Sequence, residues 1–319
     1  MSETRQGGRT EVARYVWERS VRRSLRRRRT GAGGADLERL RAWSRSSTRP
    51  RLSVCIPTQG RTDLLVPCLA SLQAQRAHAD VELVIGYTGP DSAGRKLCDE
   101  LGLARVDVAG PFNFSRVCNE MAAAARGPRL LFLNDDTTAM SQAWDERLMD
   151  GADDEVTGAA LVYPGTDRLQ HLGIEVVRRP LWPARDLYGP PIWVRPLHGL
   201  ALRSVGIGRN LGEVTMGAHE VMAVAGAFLA LSRSAFERLG GFDEQFGVDL
   251  QDIDLCLRAR QLGSVVRCRT DIVFSHQHAA SRGRYRFPRE DWRLLCSRWE
   301  ETLARWVRRA EAQATSSCS

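Results

Sequence analysis

The chain has one lysine, Lys96, among its 46 basic residues, and its eight cysteines lie twelve or more positions apart with no CxxC pair. Its longest apolar run is the eleven residues from Val221 to Leu231. A membrane-crossing helix needs about 20 such residues, so none is expected. The first twenty residues are charged throughout and lack an apolar h-region, so no secretory leader is expected and a cytoplasmic location is. Without close cysteine or histidine partners, Cys55, Cys68, Cys98, Cys118, Cys256, Cys268, Cys296 and Cys318 read as small buried hydrophobes, not as a metal or disulfide framework.

What remains is an ordinary globular composition, 319 residues with 43% apolar and 26% charged, enough for one large domain or two small ones. The net charge of +8 is uneven. Residues 1–51 hold fifteen arginines and five acids, a net of +10, which leaves −2 for residues 52–319. The basicity is an arm, with helical patterns over residues 10–29 and from Asp36 to about Ser46, then a linker to Pro50. It reads either as a solvated tail or as a dock for an anionic membrane surface. Nucleic acid is not expected as a partner, because the rest of the chain has no basic excess to line a groove.

From Leu52 strands alternate with helices. Leu52–Ile56, Val81–Ile85, Arg105–Val108 and the fully apolar Leu130–Leu133 read as strands, with helices over Thr62–Gln75, Ser92–Leu101 and Ser115–Arg126 between them. Repeated β-α-β units imply an open, Rossmann-like, mostly parallel sheet with helices on both faces, and ligands at the carboxyl ends of its strands. Directly after the apolar strand come Asn134, Asp135 and Asp136. Adjacent carboxylates at that edge repel unless a cation sits between them and a ligand, which suits Mn²⁺ or Mg²⁺ with substrate phosphates. A second acidic cluster follows Gly240-Gly241-Phe242-Asp243-Glu244. Ile253, Leu257 and Gln261 start a helix near Gln251 with Asp252 in its first turn. Asp249 and Asp252, three apart, share a face that Asp254 does not.

These residues resemble an inverting glycosyltransferase of the family 2 type with the GT-A fold, most like members of O-antigen and rhamnan-type surface-polysaccharide assembly. The likeness runs from Leu52 to Gly283. Its pieces, in the family's order, are Ser53–Thr58 with Arg61, Pro111–Arg116 with Asn119, Leu131–Thr137, Gly158–Pro164 with Gln170, His171 and Gly173, then Gly226-Ala227, Gly241–Glu244, Gln251–Cys256 and His276 with Ala280–Gly283.

The resemblance implies a role for each matching position. Asp136, with Asp135, takes the place of the acids that hold the metal on a nucleotide sugar's diphosphate, and His276 that of a residue reaching the metal or the diphosphate. Asp252 falls at the catalytic base. Pro57, Thr58, Arg61, Arg116, Asn119, Asn134 and Asp135 line the donor nucleotide, while Gly226 and Asp243 lie beside the acceptor and donor-sugar pocket. Asn134 stands where many relatives have an acid, Gly86-Tyr87-Thr88-Gly89 follows the second strand in place of a base-binding aspartate, and Gln277-His278 replaces a more usual His-Glu.

Between Arg178 and Val221 the pattern breaks into Pro, Gly, Trp and Arg, and Trp182 and Trp193 are expected to cover an acceptor sugar. After Gly283, Trp292, Leu295, Trp299, Leu303 and Trp306 repeat at helical spacing, as an amphipathic helix packed on the domain or, second, lying in a membrane interface. The expected organisation is an arm and linker over 1–50, a transferase domain over 51–283 and a helical tail over 284–319. The expected activity is metal-assisted transfer of a sugar from a nucleotide-sugar donor to a hydroxyl of a saccharide or lipid-linked acceptor. Two alternatives stay open. A sugar-phosphate nucleotidylyltransferase lacks support from Pro57–Arg61, which has no Gly-rich, Lys-bearing loop; a non-catalytic scaffold using the arm is the other.

Overall fold

The computed structural model describes residues 34–44, 49–78, 80–89, 92–178, 200–247, 249–277 and 289–316. Trp182, Trp193, Cys318, His278 and the helix expected over residues 10–29 lie outside the described residues.

The first half alternates as its sequence implies. β1 (Leu52–Thr58), α2 (Thr62–Gln75), β2 (Val81–Tyr87), α3 (Ser92–Leu101), β3 (Ala104–Asp107), α4 (Phe114–Ala124) and β4 (Arg129–Leu133) follow α1 (Gly34–Ser44). Every residue of β1, β2 and β4 is buried, the signature of strands covered on both faces. Alternation along the strands feeds two cores. Val54, Ile56, Leu131 and Leu133 pack with α1 and α2, whereas Cys55, Leu130 and Phe132 pack with α4. Gly86 lets α4 approach β2, since a Cβ there would lie 2.5 Å from Val117 Cγ1 and 2.7 Å from Met121 Sδ.

The second half completes the sheet. β5 (Thr137–Ala139), α5 (Trp144–Met149), β6 (Glu155–Val162), β7 (Leu169–His171), β8 (Ile174–Arg178), β9 (Leu200–Ser204), β10 (Ala218–Glu220), β11 (Phe228–Ser232), α6 (Arg233–Arg238), α7 (Gln251–Gln261), β12 (Val265–His276) and α8 (Arg289–Ser316) follow in order. The sheet order is β10-β12-β6-β11-β4-β1-β2-β3, with β5 beside β12 and β7 beside β6. The six strands β3, β2, β1, β4, β6 and β12 run one way, and β11 lies antiparallel between β4 and β6. β8 and β9 form a separate antiparallel pair. The stretch after Arg178 that reads as irregular therefore contains β9, a 3-10 turn at Leu211–Glu213 and β10. Strands this short leave no periodicity in the sequence.

The two ends of the described chain belong to the cores. Leu40 and Trp43 of α1 are buried, and the Trp43 indole donates to the Val81 carbonyl at 2.9 Å. Trp292, Leu295, Trp299, Leu303 and Val307 of α8 are buried in the core that holds α4 and α7. Each such side chain contributes about 1.5–3 kcal/mol relative to exposure. An exposed ion pair such as Arg178–Glu311 adds about 0–1 kcal/mol, so apolar burial is what docks α8. Seven cysteines are buried free thiols, and burial pushes Cys98 and Cys296 up to about 11 and Cys256 up to about 12. Among the described residues, no helix is long and apolar enough to cross a membrane.

Candidate active site

One edge of the sheet gathers the residues singled out by sequence. β1 and β4 both end there, and β11 starts there, because Leu133 pairs with Phe228 in antiparallel register. β12 also ends there, with His276 opposite Thr137. The Asn134 N–H donates to the Ala227 carbonyl at 3.2 Å, tying the acidic turn after β4 to the Gly226-Ala227 segment before β11.

Asp135 and Asp136 are each 4% exposed and point to different partners. Thr58 Oγ1 donates to Asp135 Oδ2 at 2.6 Å. Burial first, and the neighbouring Asp136 charge after it, push Asp135 up to about 6, against the lowering effect of the Thr58 hydroxyl. Asp136 Oδ1 lies 3.3 Å from His276 Nε2. Gln170 sets the other side of that ring. Its amide nitrogen donates to the His276 carbonyl at 3.3 Å, so its oxygen, 2.6 Å from His276 Nδ1, receives the ring proton. His276 Nε2 then faces a carboxylate oxygen across the turn. Two acceptors so placed fit a cation between them, and one carboxylate with one imidazole is a donor set Mn²⁺ accepts. Among the described residues no group of three His, Cys, Asp or Glu side chains could hold a metal alone.

Asp252 stands in the first turn of α7. Its Oδ2 accepts the Gly226 N–H at 2.6 Å and its Oδ1 the Ile253 N–H at 2.8 Å. Crowding of protein around the carboxyl pushes it up to about 6, against both amides, with Asp249 adding a smaller rise. The residue keeps part of its surface open. Asp254, two positions on, is fully buried and receives Arg258 Nε at 2.8 Å and the Trp299 indole N–H at 2.9 Å. The two acids thus face different ways, as their spacing implies. Leu250, just before α7, has φ 72°. A left-handed leucine costs roughly 1–2 kcal/mol.

The remaining positions divide. Pro57 and Thr58 close β1 at the edge, and Arg61 caps α2, where its guanidinium forks onto Asp63 at 2.8 and 2.6 Å. Arg116 donates to the Pro111 carbonyl at 2.6 Å. Asn119 braces the loop after α6, donating to the Phe242 carbonyl and accepting the Phe242 N–H, each at 2.9 Å. No hydrogen bond of Arg116 or Asn119 reaches Thr58 or Asp135. Gly240 and Gly241, with φ 73° and 75°, end α6, and a Cβ on Gly241 would lie 2.7 Å from Asn119 Oδ1. Asp243 is held by Arg298 at 2.5 Å. Burial raises its carboxyl, but the Gln245 N–H and Arg298 more than offset that and leave it lowered.

His171 is neutral, since burial and then the nearby His276 push it down to about 3, and its Nε2 accepts the Ala225 N–H at 3.1 Å. It braces the segment whose Gly226 amide holds Asp252. Two functional features escape sequence reading. Gln170 counts there only as a motif residue; the one signal is period-two alternation, which turns Gln170 and His171 of β7 to opposite sides. The left-handed Leu250 leaves no signal, because leucine rarely adopts that conformation.

Residues 53–240 match the family described as Glycosyl transferase family 2. The O-antigen biosynthesis protein RfbC of Myxococcus xanthus is 30% identical over 253 residues, covering 77% of this chain and 19% of that protein. An uncharacterized protein, y4gI, of Sinorhizobium fredii is 26% identical over 265 residues, covering 78% of this chain and 27% of its own length. The chain therefore spans about a fifth to a quarter of the curated relatives it matches. A crystal structure of GalNAc-T7 with UDP, GalNAc and Mn²⁺ superposes with a TM-score of 0.53 at 14% identity, over 72% of this chain and 44% of that one, a likeness of fold. With the family's pattern spanning the sheet edge that carries Asp135, Asp136, Gln170 and Gly226, the chain belongs to glycosyl transferase family 2.

Proposed function

We propose that the chain transfers a sugar from a nucleotide-sugar donor to an acceptor hydroxyl by a single displacement that inverts the anomeric carbon. The observation carrying this reading is an Asp136–His276 pair that fits a cation, together with a partly exposed Asp252 held by the Gly226 amide beside the same edge, its carboxyl pushed up to about 6. Asp136 and His276 would hold a divalent ion, Mn²⁺ or Mg²⁺. With two such protein donors among the described residues, the ion would leave room for the donor's phosphates and would supply Lewis-acid neutralisation of the departing diphosphate.

This chain's own residues do the rest. Thr58, Asp135 and the end of β1 form the wall on which the nucleoside rests, with Pro57, Arg61 and Asn134 beside it. Gln170 orients His276, and the Gly226 amide orients Asp252. Asp252 takes the proton from the incoming hydroxyl as the new glycosidic bond forms. At pH 7 a group titrating at about 6 is about nine-tenths ionised, and a positioned base contributes about 10²–10⁴-fold. The resemblance to inverting members of the family, with one attacking acceptor hydroxyl, supports inversion. Trp182 and Trp193 are proposed to cover the acceptor, with Gly226 and Asp243 bordering the sugar pocket. A saccharide or lipid-linked hydroxyl is the proposed acceptor, and the arginine-rich arm the proposed contact with an anionic membrane surface.

The test is release of nucleoside diphosphate from a panel of UDP-, dTDP- and GDP-sugars with Mn²⁺, comparing the parent chain with Asp252→Asn. The reading expects release by the parent and loss of about 10²-fold or more in the variant. Equal release by both removes Asp252 from the role. No release from any donor contradicts the reading.

A further inference from the structure

The family match over residues 53–240 stops short of the proposed base and of α8, yet α8 grips the base's surroundings on both sides. On the amino-terminal side, Asp291 of α8 accepts the Gly247 N–H through Oδ1 and the Asp249 N–H through Oδ2, both at 2.9 Å. On the carboxyl-terminal side, Trp299 of α8 donates to Asp254 Oδ1 at 2.9 Å, with Arg298 at 3.5 Å. Between these two grips lie the left-handed Leu250 and Asp252. A strained residue persists only where its surroundings over-determine it, and the contacts that do so here come from a helix at the far end of the chain.

We propose that Asp291, Asp254 and Trp299 are positioning residues, which clamp Gly247 and residues 249–254 against α8 so that Asp252 keeps its place against the Gly226 amide. The catalytic use of that place rests on the proposed function; the clamp itself does not. Asp291 is 5% exposed, and its two oxygens hold the backbone N–H groups of Gly247 and Asp249. Asp254 is fully buried among three donors, and its own N–H makes an opening bond of α7, to the Leu250 carbonyl at 3.0 Å. Loss of either grip lets Leu250 relax toward an ordinary backbone conformation. That rotates the first turn of α7 and moves the carboxyl away from Gly226.

The experiment compares Trp299→Phe, which keeps a ring in the core and removes the N–H, and Asp291→Asn with Leu303→Ala. Leu303 is a buried α8 residue with no hydrogen bond to Gly247 or residues 249–254. Hydrogen–deuterium exchange on the full chain reads the peptides containing Gly226 and residues 249–254. Trp299→Phe and Asp291→Asn are expected to lower protection there about tenfold, while Leu303→Ala lowers it no more than its global destabilisation requires. The Asp252 carboxyl resonance, assigned by its absence in Asp252→Asn, is expected to titrate lower in the two clamp variants and unchanged in Leu303→Ala. With any donor the panel identifies, the clamp variants lose kcat with KM unchanged. Unaltered exchange and titration in both clamp variants overturns the clamp, as does an equal change in Leu303→Ala at matched stability. A clamp seen by exchange and titration in a protein that releases no nucleotide would leave the clamp standing and remove the proposed function instead.

Discussion

Asp252 and Asp135 both hold their protons more tightly than an ordinary aspartate, for the same leading reason, the removal of water. Their second influences differ: two backbone amides pull Asp252 down, one hydroxyl pulls Asp135 down, and Asp136 beside the latter pushes it up. Transfer is expected to rise through about pH 6 as Asp252 ionises, read from the acid limb of kcat against pH. The stability consequence has the opposite sign. A raised folded-state value gives a contribution that is full below about 3.8 and is lost as pH rises through about 6. The melting midpoint of Asp252→Asn relative to the parent is therefore expected to improve between pH 5 and pH 8, and a constant difference would contradict the shift. Thr58→Val removes the hydroxyl that donates to Asp135 Oδ2, leaving a buried carboxylate oxygen short of a donor at a cost of about 1–3 kcal/mol. Chemical denaturation checks the cost, and weaker nucleoside diphosphate binding below pH 7 checks the raised Asp135.

Glycines separate the elements that must touch from those that need not. A Cβ on Gly158 of β6 would lie 2.5 Å from Val224 Cγ1 and 2.6 Å from Val224 Cβ, whereas one on Gly226 would meet Asp252 at an ordinary 3.4 Å. Gly158→Ala is expected to destabilise by about 1–3 kcal/mol, and Gly226→Ala to fold with close to parental stability, as thermal unfolding would read. The elements legible in the sequence were those whose burial writes a pattern. β1 and β4 are continuous apolar runs, and α2 places Leu65, Cys68, Leu69 and Leu72 at helical spacing and spans Thr62–Gln75 as expected. The edge carrying Asp135 and Asp136 followed from where β4 ends. β5 and β7, three residues each, were not legible, because tertiary pairing with β12 and β6 forms them, not local propensity. Gln170 reaches His276 across 106 positions, a contact no spacing rule contains.

At the scale of the molecule, the boundaries drawn at 50 and 283 separate composition, not cores. A chain cut to 51–283 loses Leu40, Trp43 and the buried Trp292, Leu295, Cys296, Trp299, Leu303 and Val307 of α8, and is expected to lose cooperative unfolding, as calorimetry would read. Removing only residues 1–33 spares α1. That shortened chain is expected to keep its melting midpoint and to lose sedimentation with anionic vesicles, because each basic residue near such a surface contributes about 1 kcal/mol. Retained sedimentation would remove the arm from that role. The proposed transfer depends on a cation seat between Asp136 and His276 completed by a nucleoside diphosphate. Electron paramagnetic resonance of free Mn²⁺, titrated with the protein in the presence of UDP, dTDP or GDP, tests it most directly. One of these diphosphates is expected to draw Mn²⁺ out of solution with the parent chain and with Asp252→Asn, but not with Asp136→Ala. Uptake that is absent with all three, or undiminished in Asp136→Ala, would contradict it.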